Sequence, residues 1–108
     1  MKSNLELLIE KYLCTLRTIE QYKLDLNDRE NRFASVPYCF ELRRTQLHIE
    51  IANELCRLYN CSYDSIYEIT YDVFSHLDII SENIYDENNM NNIVNRCEKE
   101  LEQKIFNK

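Results

Sequence analysis

The chain contains no glycine in 108 residues, and its only proline is Pro37. Glycine supplies the positive φ that tight hairpin turns and β-bulges require. A chain of this length built from strands and tight turns would carry several glycines, so the composition points to long helices joined by few connections. The same absence removes the Gly-rich phosphate loop, the dinucleotide fingerprint and the nucleophile elbow, each of which needs glycine at a close backbone approach or a sharp turn.

Apolar residues recur at helical spacing over most of the chain. Ser3-x-x-Glu6 is a capping-box pattern, and Leu5, Leu8, Tyr12, Thr15, Ile19, Tyr22 and Leu26 follow it at intervals of three and four, widened by Ile9, Leu13 and Leu16. This predicts a first helix over about residues 4–26. The polar stretch 27–35 is the main loop. Ser35 and Pro37 open a second helix, about 36–59, because proline is tolerated in a first turn. Its expected core row is Leu42, Thr45, Ile49, Ala52, Cys56 and Tyr59, with Leu47, Ile51, Leu55 and Leu58 as a second row. A helix apolar over so much of its girth is expected to be central in the bundle or covered in an oligomer.

After the break at Asn60-Cys61-Ser62, a third helix is expected over about 62–86, capped by Ser62 or Asp64, with Ile66, Ile69, Val73, Leu77, Ile80 and Ile84 facing inward. The run Asp86-Glu87-Asn88-Asn89 is read as its end. A fourth helix, about 90–106, presents Met90, Val94, Cys97, Leu101 and Ile105. The expectation is an all-α, antiparallel four-helix bundle forming one domain over residues 1–108, with a propensity to form homo-oligomers.

No segment approaches the roughly 18 consecutive apolar residues of a membrane span, and Glu6, Glu10 and Lys11 interrupt what would be a signal-peptide core. The five cysteines, Cys14, Cys39, Cys56, Cys61 and Cys97, are odd in number and form no C-x-x-C pair. A disulfide framework is not expected, nor a metal or other cofactor; most of the thiols are expected to be small buried hydrophobes in a cytoplasmic protein. Asn, Ile, Lys and Tyr are abundant while Ala and Pro are scarce, a usage typical of AT-rich coding. A phage, virus, mobile element or low-GC bacterium is the expected source.

The net charge of −6 is concentrated in one stretch. Between Arg57 and Arg96 there is no Lys or Arg, whereas Asp64, Glu68, Asp72, Asp78, Glu82, Asp86 and Glu87 all fall there. On a helix, Asp64, Glu68, Asp72, Glu82 and Asp86 share the side opposite the core row, and Tyr63, Tyr67, Tyr71 and Tyr85 lie between acids and core. Like charges at i,i+4 destabilise a helix by roughly 0.2–0.5 kcal/mol per pair, and Asp64–Glu68–Asp72 and Asp78–Glu82–Asp86 hold such pairs without a cation in the stretch to offset them. One reading is a face without a partner, either solvated or neutralised within the chain by Arg43, Arg44 or Arg57 of the second helix. The other, adopted here, is a binding surface for a basic protein partner, with Tyr63, Asp64, Tyr67, Glu68, Tyr71 and Asp72 as its residues. Direct nucleic-acid binding is not expected of such a face. The function expected is that of a non-enzymatic inhibitor, antidote or adaptor.

Two alternatives rest on other residues. Arg29, Arg32, Tyr38, Arg43 and Arg44, with Phe33, gather guanidinium and aromatic groups near the first loop, a combination able to hold a nucleotide or other phosphate in an oligomeric binder. Arg43-x-x-x-x-His48 resembles the R-x(4–6)-H motif of HEPN-type ribonucleases, which are helical bundles. That resemblance implies metal-independent RNA cleavage by an Arg43/His48 pair from each of two subunits; the residue after the arginine is Arg44, where the family usually has Asn, Asp or His. Taken without the resemblance, His48 lies on a helix flank. His76, next to Leu77, is expected to be partly buried and to pair with Asp72.

Overall fold

The computed structural model describes residues 2–28, 37–77 and 86–107. Among them the protein is all-helical, with no strand. The helices are α1 (Asn4–Asp28), α2 (Tyr38–Tyr59), α3 (Tyr63–Ser75) and α4 (Glu87–Phe106). α1 packs against α2 and α4, and α3 packs against the same two helices.

The first and last helices begin at side chains that accept from an orphan backbone N–H, and the two between do not. The Glu6 amide donates to Ser3 Oγ at 3.1 Å, one half of a capping box. Pro37 precedes α2 with φ −54° and ψ 133°, and the Phe40 amide donates to its carbonyl. Ser62 precedes α3, but its hydroxyl turns to Ser65 Oγ instead of capping the backbone. α2 stops at Asn60, which adopts the left-handed conformation at φ 52°, ψ 48°. In a chain without glycine, asparagine takes the C-terminal position that glycine usually fills, since its short polar side chain tolerates this region best among the others.

α3 is much shorter than its hydrophobic period suggests. It ends at Ser75 rather than near 86. The reason is local: Ser75 Oγ donates to the Asp72 carbonyl at 3.0 Å, and His76 Nδ1 donates to the same oxygen at 2.7 Å. Side chains thereby take over an acceptor of the last turn, and no glycine or proline marks the stop in the sequence. His76 is exposed, not partly buried; its ring sits 3.5 Å from Asp72 Oδ1. Asp86 opens a helix, accepting from the Asn88 amide at 2.9 Å as the N-cap of α4, which begins at Glu87 rather than at 90. Ile80, Ile84, Asp78, Glu82 and Tyr85 lie outside the described residues.

The core joins Leu5, Ile9, Leu13 and Leu16 of α1 to Leu47, Ile51 and Leu55 of α2, Ile66, Ile69 and Val73 of α3, and Ile93, Val94, Cys97 and Leu101 of α4. On α2 Leu47, Ile51 and Leu55 of the second apolar row are buried while its Leu58 is exposed, and of the first row Ala52 is buried with Cys56 and Tyr59 packed against the core. Leu42, Thr45 and Ile49, expected inside, face out, with Leu42 51% exposed. Helical periodicity separates the two sets: Leu47, Ile51 and Leu55 lie in one i,i+4 line, and Leu42 and Ile49 fall on the other side. Of the cysteines only Cys97 is buried; Cys39 and Cys61 are exposed, and none of the five is in a disulfide. No helix among the described residues is long and apolar enough to cross a membrane.

Candidate functional site

Two surfaces of α3 carry the chemistry, and they look in different directions. The first is a groove of about 570 Å³ between α2 and α3, lined by Ile49, Tyr63, Asp64, Tyr67 and Glu68. Tyr63 is 37% exposed and Ile49 39%. The rings of Tyr63 and Tyr67, one turn apart, have centroids 5.8 Å apart. Asp64 and Glu68 form no ion pair with any described residue. Asp72, the third acid of the row, is different: Lys104 of α4 donates to its Oδ2 at 2.7 Å. That ammonium holds the Asp72 carboxyl below its usual range. The acidic row is therefore compensated at one end by a cation distant in sequence, a correction to its appearance as a wholly unpaired stretch.

The second surface is a hollow of about 400 Å³ where α1, α2 and α3 meet, and its floor is aromatic. The Tyr12 ring stacks on Phe74 at 4.5 Å, and the His48 imidazole stacks on Tyr67 at 4.4 Å with an interplanar angle of 15°. His48 also meets Tyr12 and Phe74 edge-on. His48 is thus a buried member of the core rather than a flank residue, on the same helix line as Ala52 and Leu55. Its hydrogen bonding fixes its state. Thr70 Oγ1, fully buried, donates its one proton to the Tyr67 carbonyl at 2.9 Å, so toward His48 it can only accept. His48 Nε2, 2.5 Å from that oxygen, must carry a hydrogen. Burial, and secondarily the Arg44 guanidinium, lower the imidazole pKa below 6.5, so the ring is neutral at pH 7 and Nδ1 keeps a lone pair.

Tyr12 and His48 each keep one polar atom that is not hydrogen-bonded to a described residue. No buried side-chain nitrogen or oxygen among the described residues lacks a hydrogen bond. Tyr12 Oη and His48 Nδ1 make none with a described residue, so both stay in contact with solvent, and both residues line the hollow. Burial raises the Tyr12 pKa, which keeps its hydroxyl protonated. At the rim stand Tyr71, 63% exposed, Arg44, Lys23 and Glu20.

The residues singled out in the sequence are therefore distributed. Tyr63, Asp64, Tyr67 and Glu68 share the α2–α3 groove; Tyr67 and Tyr71 border the hollow; Asp72 turns to α4. Arg44 borders the hollow and pairs with Glu41 at 2.6 Å, whereas Arg43 lines a separate recess with Phe40, Leu7 and Cys14. Arg43 and His48 consequently do not meet within one chain. Tyr38 is exposed at the start of α2, and Arg29 and Arg32 lie outside the described residues. The aromatic floor went unread because Tyr12 and His48 sit at ordinary core spacing, and Thr70 gives no signal by itself.

No protein-family model, no curated protein and no solved structure matches this chain.

Proposed function

We propose that the protein acts without catalysis, by binding a protein partner with a basic surface through the α2–α3 groove. The observation that carries this reading is the pairing of two free carboxylates, Asp64 and Glu68, with the exposed apolar surface of Tyr63 and Ile49. Apolar contact supplies affinity at the centre of such an interface, and the acids steer and orient the partner. An inhibitor, antidote or adaptor of a phage, virus or mobile element, working in the cytoplasm, is the role that fits this surface. The test is recovery of a basic partner at low salt and measurement of its affinity for wild type and for the Asp64→Lys/Glu68→Lys variant. We expect a loss of about tenfold or more and a flatter salt dependence in the variant. Equal affinity in both proteins would remove the groove from the function.

The helices are read as an antiparallel bundle, supported for α1 and α2 by ring contacts that run in opposite directions: Tyr12 with His48, and Tyr22 with Phe40. Self-association belongs to the same reading. Leu42, Tyr38 and Leu58 leave apolar surface on α2 uncovered in the single chain. Sedimentation or light scattering at high concentration is expected to give a mass above that of one chain; a single-chain mass at every concentration contradicts it.

A further inference from the structure

We infer that the α1–α2–α3 hollow is a binding site for a small molecule combining a planar heterocycle with a negatively charged group, of the class of nucleoside monophosphates. Two polar atoms on nearly inaccessible residues that line the hollow carry the inference: Tyr12 is 7% exposed and His48 8%, yet neither Tyr12 Oη nor His48 Nδ1 is hydrogen-bonded to a described residue. With the two rings 6.3 Å apart, the hydroxyl and the imidazole lone pair offer one donor and one acceptor from neighbouring side chains. The edge of a heterocyclic base offers the complementary pair, and a purely apolar or purely ionic ligand does not.

The surroundings suit the rest of such a molecule. Tyr71, exposed along the wall, offers aromatic surface on which a flat ring stacks. Lys23 and Arg44 stand at the rim, the two cations that border the hollow. Both cations are held in short-range pairs within their own helices, Lys23 with Glu20 at 3.4 Å and Arg44 with Glu41 at 2.6 Å. Exposed pairs of this kind contribute little and give way readily to a phosphate, which guanidinium engages through two parallel hydrogen bonds. A volume of about 400 Å³ lies within the range of small-ligand sites. The site differs from the corner of Arg29, Arg32 and Tyr38 read from the sequence, and shares with it only Arg44.

The test is calorimetric or NMR titration of the full chain with the four common nucleoside monophosphates, with the parent nucleosides and inorganic phosphate as separate arms. At least one monophosphate is expected to bind more tightly than either its nucleoside or phosphate alone. Tyr12→Phe keeps the ring and its packing and removes only the unpartnered hydroxyl; with Arg44→Gln as a second variant, each is expected to weaken binding about tenfold, the worth of one good hydrogen bond. The melting temperature of the unliganded Tyr12→Phe protein is expected to stay unchanged. Absence of binding by every monophosphate at about 1 mM, equal binding by phosphate alone, or equal affinity in wild type and both variants overturns the inference. The Asp64→Lys/Glu68→Lys variant is expected to bind the nucleotide as wild type does, so the two sites fail or stand separately.

Discussion

Replacing Thr70 by valine should destabilise the fold by about 2 kcal/mol, although the two side chains have nearly the same shape. Valine removes the acceptor that His48 Nε2–H uses, and the imidazole has no other partner for that proton. A buried donor left unpaired costs its full desolvation, which exceeds what the bond contributes when made. The double variant His48→Leu/Thr70→Val removes both polar partners and should recover part of the loss, a non-additivity that urea unfolding measures directly. An additive pair of effects would mean that the two side chains do not interact.

The same histidine makes stability depend on pH, and the sign follows from its environment. Burial lowers its folded pKa below the ordinary 6.5. The unfolded chain therefore takes up the proton first, so the contribution of the neutral ring is complete above about pH 6.5 and declines as pH falls toward the folded value. The carboxylates with lowered pKa, Glu54 beside Arg57 and Asp72 beside Lys104, act only below their ordinary values of 4.5 and 3.8. Loss of stability between pH 6.5 and 5 is thus the signature of His48, and it should be absent from His48→Leu.

On α2, Leu55→Ala is expected to cost about 2–5 kcal/mol, because Leu55 is fully buried and alanine leaves a cavity among side chains of other helices. Leu42→Ala should change stability by no more than about 0.5 kcal/mol in the single chain, its side chain being half exposed. Chemical unfolding of the two variants reads the orientation of the helix. Comparable costs at both positions would mean that the other face of α2 is covered as well, and the loss at Leu42 would then depend on protein concentration.

This contrast shows what periodicity conveys and what it leaves open. α1 and α4 each have one apolar stripe, and both were legible in the sequence: Leu5, Ile9, Leu13 and Ile19 on one, Met90, Val94, Cys97 and Leu101 on the other are buried. α2 has two stripes, so the pattern established the helix without establishing its inward face. α3 ends by side-chain hydrogen bonds from Ser75 and His76 to the Asp72 carbonyl, a stop without the usual punctuation residues. Of the site, the tyrosine and acid spacing was readable because it is local. The compensation of Asp72 by Lys104 was not, since it joins residues 32 positions apart, and neither was the hollow, whose polar atoms come from three helices.

Asn60 bears on how this chain can drift. It is the single positive-φ residue among those described, and it ends α2 immediately before α3 begins. A β-carbon in the left-handed region costs roughly 1–2 kcal/mol, a sizeable share of the marginal stability of a domain this small. Glycine, aspartate and asparagine escape most of that cost, so selection should hold position 60 to these three while its exposed neighbours vary freely. A deep mutational scan should then show its sharpest surface intolerance at a residue that touches neither the groove nor the hollow.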